Sequence, residues 1–159
     1  MTASLKGIRV LEMAQIMAGP TCGLLLADLG AEVIKIEKTP GGDDTRNFLP
    51  PEINGESAAF MMMNRNKKGI ALNLKDKDGI EIFKTMVKNS DVVLENFRKG
   101  TLEKLGVGYD VMSEINPKIM CADSYLSKKS SRCFLWFLLG IIEFLEIIPG
   151  VLSLSLIHI

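Results

Sequence analysis

The sequence predicts an α/β fold, a parallel sheet with flanking helices. Three observations carry that prediction. Short apolar runs rich in branched residues recur along the chain, at Ile8–Met13, Val33–Ile36 and Asp91–Glu95, as strands covered on both faces require. Helical patterns follow these runs, so strands and helices alternate. Gly, Pro, Asp and Ser stand at the junctions, where turns and caps need them.

The first strand, Ile8–Met13, ends in a loop broken by Ala18-Gly19-Pro20. Pro20 lacks an N–H and suits the first turn of a helix, where that group would have no partner. Leu24, Leu25, Leu26 and Leu29 give this helix a broad apolar stripe, and Gly30 stands where a left-handed cap is wanted. Val33–Ile36 returns as the second strand and completes a right-handed βαβ unit. Lys38–Glu56 is a long polar loop with two readings: a solvated loop in which Asp43 and Asp44 cap local turns, or a loop folded over a ligand with Arg46 or Lys38 facing anionic groups. Ser57–Asn64 is a short helix capped by Ser57, with Met61, Met62 and Met63 as core filler. After the basic turn Asn64–Lys68 comes a strand, Gly69–Leu74, then Asp76 as N-cap of a helix over Lys77–Lys88. The strand Asp91–Glu95 precedes a short helix capped by Thr101 and ended by Gly106, a second helix over Tyr109–Ile115, and a fifth strand, Lys118–Ala122. The whole is a Rossmann-like parallel sheet, whose ligands bind beyond the carboxyl ends of the strands. Ala14–Gly19 and Lys38–Arg46 therefore lie on the candidate functional edge.

Composition narrows the function classes. The chain has 159 residues, with 19 basic and 19 acidic side chains and no net charge, so no long-range field draws it to nucleic acid. Its single histidine, His158, stands next to the C-terminus, which excludes a Ser-His-Asp triad, a Cys-His pair or a histidine metal cluster in the body. Three cysteines without a C-x-x-C pattern read as buried thiols in a reducing compartment, and the N-terminus lacks a signal-peptide run, so the cytoplasm is the expected location. Asp76-Lys77-Asp78-Gly79 lacks the further acidic ligands of a calcium loop. Neither G-x-G-x-x-G nor a Walker A motif occurs. What remains is a set of polar residues just past the predicted strands: Gln15, Lys38, Lys75, and Asn96 with Arg98. Each alone reads equally as ordinary surface; together they favour an anionic ligand.

The motifs LKGIRVLEMAQIMAGP, LLADLGAEVIKIEKTPGGDDTR, NRNKKGIALNLK, DVVLENFRKGTLEKLGVGYD and INPKI stand in unbroken order over about three quarters of the chain. Through them the sequence resembles the N-terminal portion of the family III CoA-transferases (CaiB/BaiF type), which include formyl-CoA transferase, carnitine CoA-transferase and the α-methylacyl-CoA racemases. The resemblance implies that residues 1–125 are the N-terminal part of a CoA-binding domain, a truncated large domain of that fold. It implies coenzyme A or acyl-CoA as substrate, a small carboxylic acid as partner, no metal, and an interlocked homodimer at full length. It places CoA contacts at Gln15, Met17 and Ala18, at Lys38, at Leu72, Asn73, Leu74 and Lys75, at Asn96 and Phe97, and at Lys104 and Leu105. Formyl-CoA-type members tend to carry a histidine and a glutamine in the first loop, where this chain has Gln15 and Met17.

The family's nucleophilic aspartate lies downstream of a glycine-rich loop after the fifth strand, and the pattern stops after Ser124-Tyr125. The resemblance therefore assigns no catalytic residue to this chain. It leaves three readings: a CoA-transferase by descent, an inactive CoA-binding fragment, or a racemase-type relative. Residues 126–159 fall outside the pattern. Three readings of them stand: a membrane helix behind Lys128, Lys129 and Arg132, opposed by Glu143, Glu146 and Pro149; an amphipathic helix packed on the sheet; or a frameshift or read-through join, favoured by the terminal LSLSLIHI.

Overall fold

A computed structural model of the chain describes residues 3–123. The expectations for 126–159 lie outside the described residues. Five parallel strands form the central sheet: β1 (Arg9–Glu12), β2 (Glu32–Glu37), β5 (Lys68–Ala71), β6 (Val92–Glu95) and β7 (Met120–Asp123). Their spatial order is β5-β2-β1-β6-β7. The chain thus works outward from β1 to one edge, then crosses back to β6 and works to the other. The reversal leaves a topological switch point between β1 and β6, where ligands of doubly wound sheets bind.

Helix α1 (Ala18–Asp28) covers one face, over Val10, Ala14, Val33, Val92 and Leu94. Helices α3 (Lys77–Lys88), α4 (Thr101–Lys104) and α5 (Tyr109–Ile115) cover the other, over Leu11, Met13, Ile36 and Val93, with Phe83, Val87, Leu102 and Met112 in the core. Helix α2 (Ala58–Asn64) packs beside α1. Among the described residues no helix is long and apolar enough to cross a membrane.

Several caps follow the local chemistry. Gly30, at φ 97°, ends α1 with a Schellman pair: its N–H reaches the Ala27 carbonyl and that of Ala31 reaches Leu26. Ser57 Oγ accepts from the Phe60 N–H at 3.3 Å, and Asp76 Oδ1 from Asp78 at 3.1 Å.

Other expectations are corrected. Leu25 and Leu29 are exposed; the buried side of α1 runs through Gly19, Pro20, Gly23, Leu24, Leu26 and Ala27, so small residues, more than leucines, bring this helix close to the sheet. Only Met63 of the three methionines is buried. Gly100, at φ 83°, holds the N-cap of α4 in place of Thr101. The third strand stops at Ala71, because Asn73 Oδ1 accepts the Lys75 N–H in an Asx turn that draws Asn73–Lys75 out of the ladder. The loop Lys38–Glu56 holds a 3₁₀ turn, Asp44–Asn47, and a two-stranded ribbon of β3 (Glu52–Ile53) and β4 (Glu56–Ser57). Asn54 and Gly55 join its strands, both at positive φ, as tight hairpins require.

Candidate functional site

The loops after β1 and β6 meet at the switch point. The Gln15 N–H donates to Asn96 Oδ1 at 2.8 Å, and Asn96 Nδ2 donates to the Gln15 carbonyl at 2.7 Å. This two-bond clasp joins residues 81 apart in sequence. Gly19, in the first turn of α1, lies so close to Ala14 that an added methyl would collide with the alanine side chain. Met17 and Ala18 are exposed where α1 begins, and no side chain caps that terminus. From the end of β2, Lys38 Nζ reaches Gln15 Oε1 at 3.4 Å and Asp44 at 2.5 Å. Hydrogen bonds thus gather Gln15, Lys38 and Asn96, with Met17 and Ala18 adjoining in the chain.

Leu72–Lys75 follow β5 on the same rim, tied to β2 by the Leu72 N–H to the Glu37 carbonyl at 2.8 Å. Leu72 is buried, Leu74 half-buried, and Asn73 and Lys75 exposed. A hollow of about 210 Å³ opens here, lined by Glu37, Lys38, Pro40, Gly42, Arg46 and Ala71. Phe97 follows Asn96 and is half-buried against the core under α3 and α4. Leu105 packs on that same core, and Lys104 is exposed at the end of α4. Among the described residues no side-chain hydrogen bond or ion pair ties Lys75 or Lys104 to the Gln15–Asn96 clasp.

Gly79 sits in the first turn of α3 against the carbonyl of Asn73, with no room for a methyl group. Gly79→Ala is expected to push α3 off the Asn73–Lys75 turn and to cost about 1–3 kcal/mol in urea denaturation, the range of overpacked sites.

Beneath the rim lies a buried charge cluster that sequence reading missed. Glu12 is fully buried at the end of β1, opposite Lys35 on β2. Lys35 Nζ lies 3.1 Å from Glu12 Oε1 and 2.8 Å from Asp43 Oδ2. Lys67 Nζ lies 3.0 Å from Glu12 Oε1 and 2.8 Å from Oε2, and also donates to the Pro20 carbonyl. The contacts to Glu12 Oε2 and Asp43 Oδ2 are ionic without hydrogen-bond alignment. Burial pushes the Glu12 carboxyl up, against the two ammonium groups, and pushes Lys67 down. Burial and the neighbouring Glu12 raise the Cys22 thiol to about 11, so it stays protonated and unreactive. The one legible signal was a charge inside each of two apolar strands, Glu12 in VLEM and Lys35 in VIKI.

The Lys38–Glu56 loop is settled in part. Asp43 caps the 3₁₀ turn through Thr45, as the first reading expects, but it is buried and not solvated. Arg46 pairs with Glu37 through two hydrogen bonds of 2.7 and 2.8 Å and lies 3.7 Å over the Phe60 ring. Hydrogen bonds from Arg46 hold the Glu37 carboxyl below its ordinary value. Burial alone would raise Asp43, but the Lys35 ammonium and hydrogen bonds from Thr45 outweigh it and the net shift is down. Both groups therefore contribute stability above their unfolded-state pKa, near 4, that is lost as pH falls through the lower folded values. The denaturation midpoint is expected to drop as pH falls below about 4. Arg46→Met should make that drop shallower.

Comparison with known proteins defines the class. The model of CoA-transferase family III matches residues 5–125, and the chain belongs to that family. It is 44% identical over 119 residues to the succinyl-CoA–L-malate CoA-transferase β subunit of Chloroflexus aurantiacus, covering 75% of this chain and 29% of that one. It is 46% identical over 116 residues to the mouse succinyl-CoA:glutarate CoA-transferase, covering 73% and 27%. With the formyl-CoA:oxalate CoA-transferase of Afipia carboxidovorans the identity is 40% over 122 residues, covering 77% and 29%. The fold matches the crystal structure of a CaiB/BaiF family protein from Brucella suis, with a TM-score of 0.71 and 41% identity over 75% of this chain and 32% of that one. The chain therefore spans less than a third of the length of these relatives.

Proposed function

We propose that the carboxyl rim of the sheet binds the CoA moiety of an acyl-CoA, and that the full-length protein moves CoA between an acyl-CoA and a small carboxylic acid. The observation that carries this reading is the Gln15–Asn96 clasp at the switch point, with the Lys38 ammonium against it. The clasp sits where a doubly wound sheet accepts nucleotides. Lys38, Lys75 and Lys104 oppose phosphate charge, each as a point charge. Met17 and Phe97 offer apolar contact to adenine or the pantetheine arm. The small Ala18 and Gly19 allow the backbone to approach a thioester, and Leu72–Leu74 and Leu105 complete the wall. Malate, glutarate and oxalate, the acids named for the relatives, share the chemistry of small dicarboxylates. Cys22, a half-buried thiol outside any disulfide, fits a reducing, cytoplasmic setting.

A specific observation favours CoA binding without turnover by residues 3–123. Three described carboxylates at the rim are committed: Glu12 to Lys35 and Lys67, Asp43 to Lys35, and Glu37 to Arg46. A nucleophile that forms an acyl anhydride must instead be free to attack.

Calorimetry with CoA tests the proposal on the 159-residue chain. Binding is expected, weakened about two- to fivefold by Lys38→Ala or Lys75→Ala, as for solvent-exposed charge pairs. Folded protein that releases no heat with CoA contradicts it. Turnover of succinyl-CoA with glutarate by the same chain would contradict the assignment to binding alone.

A further inference from the structure

The loop after β1 turns at Ile16, whose φ is 68°. That left-handed conformation is costly for a β-branched side chain, and strain of this kind persists only where the surroundings enforce it. Burial of the side chain is not the enforcement, because Ile16 is 41% exposed. The backbone that enters the turn is held instead at two points. The Ile16 N–H donates to Asp43 Oδ1 at 3.2 Å. Two residues earlier, the Ala14 carbonyl accepts from Lys35 Nζ at 2.9 Å. Lys35 and Asp43 are themselves paired at 2.8 Å, 3% and 1% exposed. Asp43 is fixed in turn: its Oδ1 accepts from the Thr45 N–H at 3.0 Å and the Thr45 hydroxyl at 2.8 Å, and its own N–H donates to Glu37 Oε2 at 2.9 Å. One buried ion pair therefore fixes both the Ala14 carbonyl and the Ile16 N–H on the approach to the turn, and neither member is open to a ligand.

We propose that Lys35 and Asp43 are positioning residues that lock Ile16 in its left-handed turn and so set Gln15 and Met17 at the rim. The inference rests on the reading of that rim as the CoA site, and it extends that reading from residues that touch the ligand to a pair that acts only through the loop.

The test compares the 159-residue chain with Asp43→Asn, Asp43→Ala, and Asp43→Ala combined with Ile16→Gly, reading CoA affinity by calorimetry and Ile16 amide exchange by NMR. Asp43→Ala is expected to expose the Ile16 amide to exchange and to weaken CoA binding about tenfold or more, the scale of losing a hydrogen bond to a charged group. Adding Ile16→Gly should restore most of the affinity, because glycine adopts the left-handed turn without strain. A role of Asp43 in general stability alone would give no such rescue. In Asp43→Asn the side-chain oxygen remains, and Ile16 should stay protected. The proposal is overturned if folded Asp43→Ala binds CoA as tightly as the unaltered chain, if Ile16→Gly fails to rescue it, or if Asp43→Asn loses the protection. That last arm decides the matter should Asp43→Ala not fold. If the unaltered chain binds no CoA, the reading of the rim falls, while the exchange data still report whether Asp43 holds the turn.

Discussion

Replacing Glu12 by alanine is expected to destabilise the protein by about 3–5 kcal/mol, the range found when one partner of a buried ion pair is removed. The loss follows from what stays behind. The Lys67 side chain, 1% exposed, would keep only the Pro20 carbonyl and Asn64 Oδ1. Lys35 would keep Asp43 and the Ala14 carbonyl. An ammonium group left half-partnered in a dry site costs more than the pair contributed, since burial had already charged a penalty to both ions. The sign of that penalty shows in Glu12 shifted up and Lys67 shifted down. Replacing Glu12 and Lys67 together by leucine and methionine should therefore recover much of the loss. Urea denaturation of the three proteins measures it. Gly23 shows how little slack the cluster has, because a methyl at that position would collide with the Glu12 carboxylate.

Phe83→Ala is expected to cost a similar amount, about 3–5 kcal/mol, through a cavity in the opposite face of the sheet. Phe83 is fully buried on α3 and shares a cluster with Leu11, Met13, Leu72, Val93 and Leu102. Those neighbours lie on rigid strands and helices, which relax only partly around a void. Its neighbour in the chain, Ile82, is 47% exposed, and Ile82→Ala should change stability by no more than about 0.5 kcal/mol. Chemical denaturation of the two variants separates the faces of α3. Because Leu72 belongs to the same cluster, the cavity also loosens one support of the rim.

How far the sequence could be read depended on the range of the interaction. Gly30, Ser57 and Asp76 were legible because their caps involve residues within five positions, and the parallel sheet was legible because its strands are apolar on both faces. The Asn54-Gly55 hairpin carried a local signal too, but proline- and glycine-rich surroundings made Lys38–Glu56 read as one loop. The ion cluster was illegible for a different reason. Its partners are 23 residues apart at Glu12–Lys35 and 55 at Glu12–Lys67, and charge alone does not say which residues meet. Only the isolated charges in two buried strands hinted at it. Gln15 and Asn96 were each placed at a strand end, and the strand order is what turns them toward each other.

CoA is expected to sit at this rim, at the crossing between β1 and β6. NMR of the 159-residue chain titrated with CoA tests it most directly. With CoA seated there, the amides of Gln15, Ile16, Lys38, Asn73 and Phe97 are expected to shift first and together. Shifts confined to the opposite ends of the strands, around Ile8, Asn89 and Asp91, would contradict it.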